Sequence, residues 1–443
     1  MSLALNKSTQ FHINELSIVT KGGPIDISVI YEEINLYDSL FLPVMSGNIL
    51  INDSVGLSSM FLFDGSESIL IDIAKDKNSD VASFKKAFRI YKQSNRVANG
   101  SNNEKYMLHF CSDELMFSDQ QKINQSYDET YGKIVVKIME DYLEVPEGEA
   151  GGYFEDTEGL RNVVIPNLRP LDAIEWITKR CLDQNQAPNY VFFQNLVGFN
   201  FVPLSKLLTN DELLDINFTP KNVHGNSAFD EIDSARGFEV VKQNDSITKQ
   251  RSGVNAGKFI GFDPMTRVTA TKKISYGDVY DTMEHANENP NASIVGNRDG
   301  SSTETSFDSK KTVSMFSMAQ NFSNYIKKNA PEMLSKLDNQ ENWMFQRKAI
   351  IENLMAKRLK IAMPGNFQLT SGFNVNVNAP PFGMKIPGDE NKDVSLSGKY
   401  IIVASRHIIG YNKHETIIEV ATTSSEAPVT ISSGEQLNEL LEF

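Results

Sequence analysis

The side chains able to do chemistry are few and scattered. Six histidines, His12, His109, His224, His285, His407 and His414, form neither an H-E-x-x-H nor an H-x-H arrangement, so none has the spacing that brings two imidazoles to one metal. His407 and His414 fall on neighbouring strands or the turn between them and can meet in space, although strand-face histidines are far commoner than ligands. Cys111 and Cys181 are the only cysteines and lie in no C-x-x-C pair, which reads as two small buried apolar residues and not as a metal or redox centre. There is no G-x-S-x-G elbow, no P-loop and no G-x-G-x-x-G after a strand, so the usual nucleophile and nucleotide signals are missing. No cofactor, metal or catalytic residue is expected.

The densest acidic text is "YLEVPEGEAGGYFEDTEG", with Glu144, Glu147, Glu149, Glu155, Asp156 and Glu158. A paired-carboxylate hydrolase of cell wall or glycan would draw on such residues, but a solvated Gly-rich loop explains them without any demand on geometry. The net charge of −14 argues against a phosphate-gripping surface, because phosphate contacts are made mainly by Lys and Arg. The longest apolar run, "LFLPVM", is far too short to span a bilayer, and the first residues lack the basic and apolar regions of a secretory leader. The expected setting is the cytosol, or release by lysis.

Polar residues alternating along strands are the more distinctive feature. In "FNVNVNA", Phe373, Val375 and Val377 face one way and Asn374, Asn376 and Asn378 the other, since side chains alternate across a strand. Asn is a poor strand former, so a wet face or polar lumen is what these positions serve.

The elements that would position them begin with an all-β opening, Phe11 to Ile73, of short strands cut by turn residues. "AFRIYKQS" and "EKYMLHFCS" then read as a long-looped hairpin. Helical periodicity enters at "YGKIVVKIMEDYL" and "RPLDAIEWITKRCLDQN", followed by a tight hairpin of "NYVFFQN" and "GFNFVPL", giving an α+β region over about 119–220. Strands return between Phe229 and Tyr280, and a nearly all-polar stretch, 287–311, reads as a loop or lid. "NWMFQRKAIIENLMAKRLKIAM" is expected to be one helix, stopped by Pro364 and Gly365.

The chain also repeats itself. "MSGNILI" (Met45 to Ile51) and "MPGNFQL" (Met363 to Leu369) share a form, and each is followed by a turn containing Gly (Gly65, Gly372), an alternating strand, an aromatic-led strand and a strand introduced by Glu. Four strands in one order, near 43–116 and 363–426, suggest a duplicated β-domain.

At "LPVMSGNILINDSVGL…DGSESILIDI", the helix Trp343 to Lys360 leading into "MPGNFQLTSGFNVNV", and "SGKYIIVASRHIIGYNKHETIIEV", the chain resembles the baseplate hub family of contractile-tailed bacteriophages, whose fold also occurs in the base of type VI secretion spike proteins. The resemblance covers roughly 9–280 and 340–426. It implies a mainly β fold with α+β parts, in which two similar antiparallel β-barrel tube domains flank central α+β domains. The implied divisions are a first tube domain (9–118), an α+β peripheral domain (119–225), a β-rich segment completing both (226–285), a polar loop or insertion (286–340), a helix with the second tube domain (341–426) and a tail (427–443), whose "EQLNELLEF" could dock as a short helix. It further implies a non-enzymatic homotrimer, a ring of six quasi-equivalent units joining a six-fold tail tube or tube initiator to a three-fold central spike. The ring would surround the channel for tape-measure protein and DNA, without specific nucleic-acid binding or a transmembrane segment. The location would be the virion tail baseplate, after assembly in the host cytoplasm. On that footing Ser46, Asn48 and Asn52 of the first copy and Asn374, Asn376 and Asn378 of the second are expected on the polar face of the tube. A receptor-binding or carbohydrate-binding module is the other alternative to the hydrolase, and would stay active as a monomer.

Overall fold

The computed structural model describes residues 11–426 except 61–62, 75–82, 99, 101–102, 147–150, 219–233, 244, 255, 263–266, 268, 291–312, 319–339, 380–391, 394 and 412. The first part of the chain forms β1 (His12–Thr20), β2 (Gly23–Asp26), β3 (Tyr31–Ser39), β4 (Ser46–Asp53), β5 (Ser68–Ala74), β6 (Ser83–Ala98) and β7 (Glu104–Cys111). They pair in the order β3-β4-β7-β6-β5-β1-β2, every neighbour antiparallel. The alternation in β5 sends Ile69, Ile71 and Ile73 inward, where they are fully buried. One apolar cluster takes Leu16 and Ile18 from β1, Ile34 and Leu36 from β3, and Phe88 and Phe110 between them. Strands far apart in the pairing order thus share a core, so the sheet curls around it.

The α+β unit follows: β8 (Ser126–Glu129) pairs with β9 (Arg161–Val164), and β10 (Tyr190–Gln194) with β11 (Phe199–Pro203). Its helices include Tyr131–Leu143, Pro170–Thr178 and Leu204–Thr209. The first is entered through Thr130, whose hydroxyl accepts from the Lys133 amide, and left through Glu144 at φ 58. Ile134, Ile138, Ile174 and Ile177, one stripe per helix, close on Phe201. Cys111 and Cys181 are buried free thiols.

The last part supplies β12 (Glu212–Phe218), β13 (Ser234–Ala235), β14 (Gly237–Gln243), β15 (Ala256–Phe262), β16 (Thr269–Ser275), β17 (Asn289–Pro290), β18 (Val313–Met318), β19 (Lys357–Pro364), β20 (Asn374–Asn378), β21 (Gly398–Gly410), β22 (Lys413–Ala421) and β23 (Ser424–Ser425). The polar segment expected over 286–340 carries β17, paired with β23, and β18, which runs parallel to β15; its remainder at 291–312 and 319–339, like the tail from 427, lies outside the described residues.

Two expectations need correction. The helix expected through Met363 spans Met344–Leu354 only, and Lys357–Pro364 is strand β19. From Lys357 the apolar residues Leu359, Ile361 and Met363 recur every second position and enter the core of the second half, so period two wins over the helical reading of the same text. The second heptapeptide is also not a strand like the first: Met363 and Pro364 end β19, and Gly365 to Leu369 form the turn after it.

The duplication is nevertheless present in the pairing pattern. The second half runs β14-β19-β22-β21-β20-β12-β13, repeating β3-β4-β7-β6-β5-β1-β2 strand for strand. Senses agree through the first four pairs, and depart at β12, which runs parallel to β20 and β13. The ladders match Ile49 with Ile361, Ile69 and Ile71 with Val375 and Val377, Phe88 with Tyr400, and Phe110 with Val420. They match Ser46–Asp53 with Arg358–Gly365, so the two heptapeptides are not equivalent.

Candidate functional site

The halves are joined by one strand. β21 pairs with β20 through its first residues and, from Ala404 to Gly410, with β3 of the first half, Ile409 facing Ile34. A bulge between Ile402 and Ala404 exchanges the faces of β21. Before it Tyr400 and Ile402 enter the second core; beyond it Ile409 enters the first. The result is a continuous run of eight strands, β14-β19-β22-β21-β3-β4-β7-β6.

Asp38 fastens this join. Its Oδ2 accepts from Thr370 Oγ1 at 2.6 Å and Ser405 Oγ at 2.8 Å, and its Oδ1 from the Ser371 amide at 3.0 Å. Burial pushes the Asp38 carboxyl above the usual carboxylate range, against the pull of these donors.

The face of the eight strands opposite the two sheet cores carries polar residues interspersed with Leu50, Met107, Ile408 and Ile417. Ile408, Asn35, Asn48, His109 and Lys92 lie side by side across five strands, and Ile417, Arg406, Tyr37 and Ser46 form the adjacent row. Asn35 donates to Asn48 Oδ1 at 3.1 Å, Asn48 donates to the Tyr37 hydroxyl at 3.3 Å, and Arg406 donates to Asn35 Oδ1 at 2.9 Å. Ser94 and His109 share a hydrogen bond of 2.7 Å; burial and the Lys92 ammonium hold His109 below the ordinary imidazole range. Three basic groups here pair with carboxylates, Arg358 with Glu419 at 2.7 Å, Lys105 with Glu32 at 2.5 Å and Arg236 with Glu415 at 3.0 Å. Such a surface is hydrated and carries charges of both signs.

Of the residues singled out in the sequence, the structure brings Ser46, Asn48 and Asn52 to this face, half-buried at alternate positions of β4. It does not bring Asn374, Asn376 and Asn378 there. They lie on β20, the counterpart of β5, where Asn376 donates to Asp215 Oδ1 at 2.6 Å and Asn378 to Asn217 Oδ1 at 2.9 Å on parallel β12. Asn374 is fully buried and donates to the carbonyls of Leu207 and Asn210. The true counterparts of Ser46 and Asn48 are Arg358 and Lys360. Sequence reading missed these and Arg406 because it placed the first two on a helix; the signal was the alternation in "RLKIAM".

His407 and His414 do meet, with Nδ1 and Nε2 3.3 Å apart, but in a fully buried pocket against Phe367, whose ring centroid is 4.4 Å from that of His414. Burial lowers His407 to about 3, so it is neutral. A Cβ at Gly365 would overlap the His414 ring, which fixes glycine there for packing. Among the described residues no three His, Cys, Asp or Glu side chains group as metal ligands. In the acidic run Glu155 is occupied by Lys206 at 2.7 Å, and Glu147 and Glu149 lie outside the described residues.

No protein-family model matches the sequence, and no curated relative matches it. Solved structures do. The tail protein from Neisseria meningitidis MC58 superposes with a TM-score of 0.50 at 10% identity, covering 95% of this chain and 99% of that one. The 43 kDa tail protein of prophage MuSo2 from Shewanella oneidensis gives 0.50 at 7% identity, covering 92% and 98%. At these identities the likeness is one of fold, and it extends over nearly the whole length of all three chains: this chain has the fold of these two tail proteins.

Proposed function

We propose that the chain is a structural subunit of a phage-type tail, the hub of a contractile baseplate, and not an enzyme. Three copies form a ring in which each contributes two similar β units, so that six quasi-equivalent units meet a six-fold tube on one side and a three-fold spike on the other. The observation that carries this reading is the eight-strand sheet. Two halves with the same strand order lie side by side in one continuous surface, and Ser46, Asn48, Asn52, Arg406 and the paired charges sit on its wet face. That face lines the channel through which tape-measure protein and then DNA pass, in a tail assembled in the host cytoplasm. The fold shared with two tail proteins supports the tail setting.

The test is light scattering on the purified full chain, followed by negative-stain imaging. A trimer with a central hole is expected. A protein that stays monomeric at every concentration, or an assembly with no hole, overturns the reading.

A further inference from the structure

A cavity of about 480 Å³ opens where the α+β unit meets the second half. β11 and the helix Leu204–Thr209 supply Val202, Lys206 and Leu207 to its lining, and the entry to β20 supplies Gly372, Phe373 and Asn374. The entry turn can lie this close because Gly372 sits at φ +89, where a Cβ would come within 2.7 Å of the Phe193 ring in the same wall. A hollow of this size at the junction of two units is of the kind that holds a small ligand.

The fold does not use up the polar groups of this lining. Asn374 is fully buried in the wall; its Nδ2 donates to the carbonyls of Leu207 at 2.6 Å and Asn210 at 2.8 Å, and its Oδ1 has no partner. The two carbonyls fix which way the amide is turned, so the orphan atom is the oxygen, an acceptor. A buried acceptor without a donor carries a cost that a ligand hydroxyl relieves. The exposed side chains of Asn210 and Asp211 at the rim hydrogen-bond to nothing among the described residues. Lys206 is already held by Glu155 at 2.7 Å and by the Tyr153 hydroxyl. Two rings from separate segments, Tyr153 and Phe373, reach the cavity while 50% and 37% exposed.

Acceptors, amides and ring faces remain, with the one carboxylate unpaired and the lysine neutralised. A phosphate or carboxylate ligand meets Asp211 and finds no free cation. A purely apolar ligand leaves Asn374 Oδ1 and Asp211 without donors and desolvates them further. An uncharged ligand rich in hydroxyls, with C–H faces to lay against an aromatic ring, satisfies both demands. We propose that this cavity binds one pyranose unit of a neutral sugar, free or at the end of a glycan. Its hydroxyls donate to the Asp211 carboxylate at the rim and to Asn374 Oδ1 at the buried end, and its C–H face packs on Phe373 or Tyr153. This is a binding function separate from the ring and its channel.

The test is saturation-transfer NMR on the purified full chain with the methyl glycosides of glucose, galactose, mannose and N-acetylglucosamine, and with choline as a cationic comparison. At least one sugar is expected to bind, with a Kd on the order of 1 mM for a ligand of this size. Asp211→Ala, at an exposed position, is expected to weaken it about 10-fold and Phe373→Ala several-fold, each with an unchanged circular dichroism spectrum. Tyr411→Ala, which removes an exposed ring elsewhere, is expected to leave binding as it was. Disaccharides ending in the same sugar separate the sources: equal or tighter binding identifies a glycan end, and exclusion identifies a free sugar. Binding of no sugar, binding of choline alone, or sugar binding that survives both Asp211→Ala and Phe373→Ala overturns the proposal, and none of these results touches the trimer, which light scattering decides.

Discussion

Replacing Asp38 by Ala tests whether the two halves are fastened where the structure fastens them. The side chain is 3% exposed and receives three donors from two separate segments of the second half. Removing it leaves the Ser371 amide with no acceptor, at about 2 kcal/mol, and costs each hydroxyl about 1 kcal/mol, less because Ser405 can turn to His407 Nε2 at 3.3 Å. Relief of the buried carboxylate offsets part of this, so the expected loss is about 3 kcal/mol. Asp38→Asn keeps an oxygen for the amide, and both hydroxyls can accept from its NH2, so about 1 kcal/mol is expected. Because the folded carboxyl titrates above its unfolded value, the wild type is favoured most below about pH 4, and the gap to Asp38→Asn narrows as pH rises through the folded value. Urea denaturation followed by circular dichroism at several pH values measures all three proteins. If Asp38→Ala lies within 1 kcal/mol of wild type, or if the gap to Asp38→Asn widens with pH, the account of this join is wrong.

Other outcomes follow from other features. His407 is neutral when folded and takes a proton only when unfolded below about pH 6.5, so stability falls by about 1.4 kcal/mol per pH unit from there toward pH 3; His407→Gln should lack this part of the slope in paired denaturation curves. Gly47→Ala drives a methyl into the Phe110 ring and the Asn35 carbonyl, and should cost about 3 kcal/mol in the same assay. On the proposed channel role, Asn48→Lys should fold and assemble but slow DNA release from particles carrying it, whereas Asn376→Lys, on β20 beside Asp215, should leave release unchanged.

Much of the fold was legible because strand text of one kind repeats. β4 to β7, the β10·β11 hairpin and the Tyr131 helix declare themselves through period and turn residues. The duplication was legible too, but for a partly mistaken reason: Gly47 is required by Phe110 and Gly365 by His414, so two unrelated close approaches wrote similar heptapeptides. The stretch from Trp343 to Met363 misled because basic and apolar residues satisfy period 3.6 and period 2 together, and only long-range pairing with β14 and β22 decides. The same limit hid half of the polar face. Alternation says that Asn374, Asn376 and Asn378 share a side, but not which of several sheet surfaces that side belongs to, and parallel β12 had claimed it.

The bulged strand β21 has a mechanical consequence. Because one strand is a member of both halves, a force that pulls them apart along the strand direction loads the β21·β3 and β21·β22 ladders in shear, with many backbone bonds sharing the strain at once. Peeling, in which bonds fail one after another, is blocked while β22 and β3 flank it. The two repeats therefore move as one body, with no hinge between them.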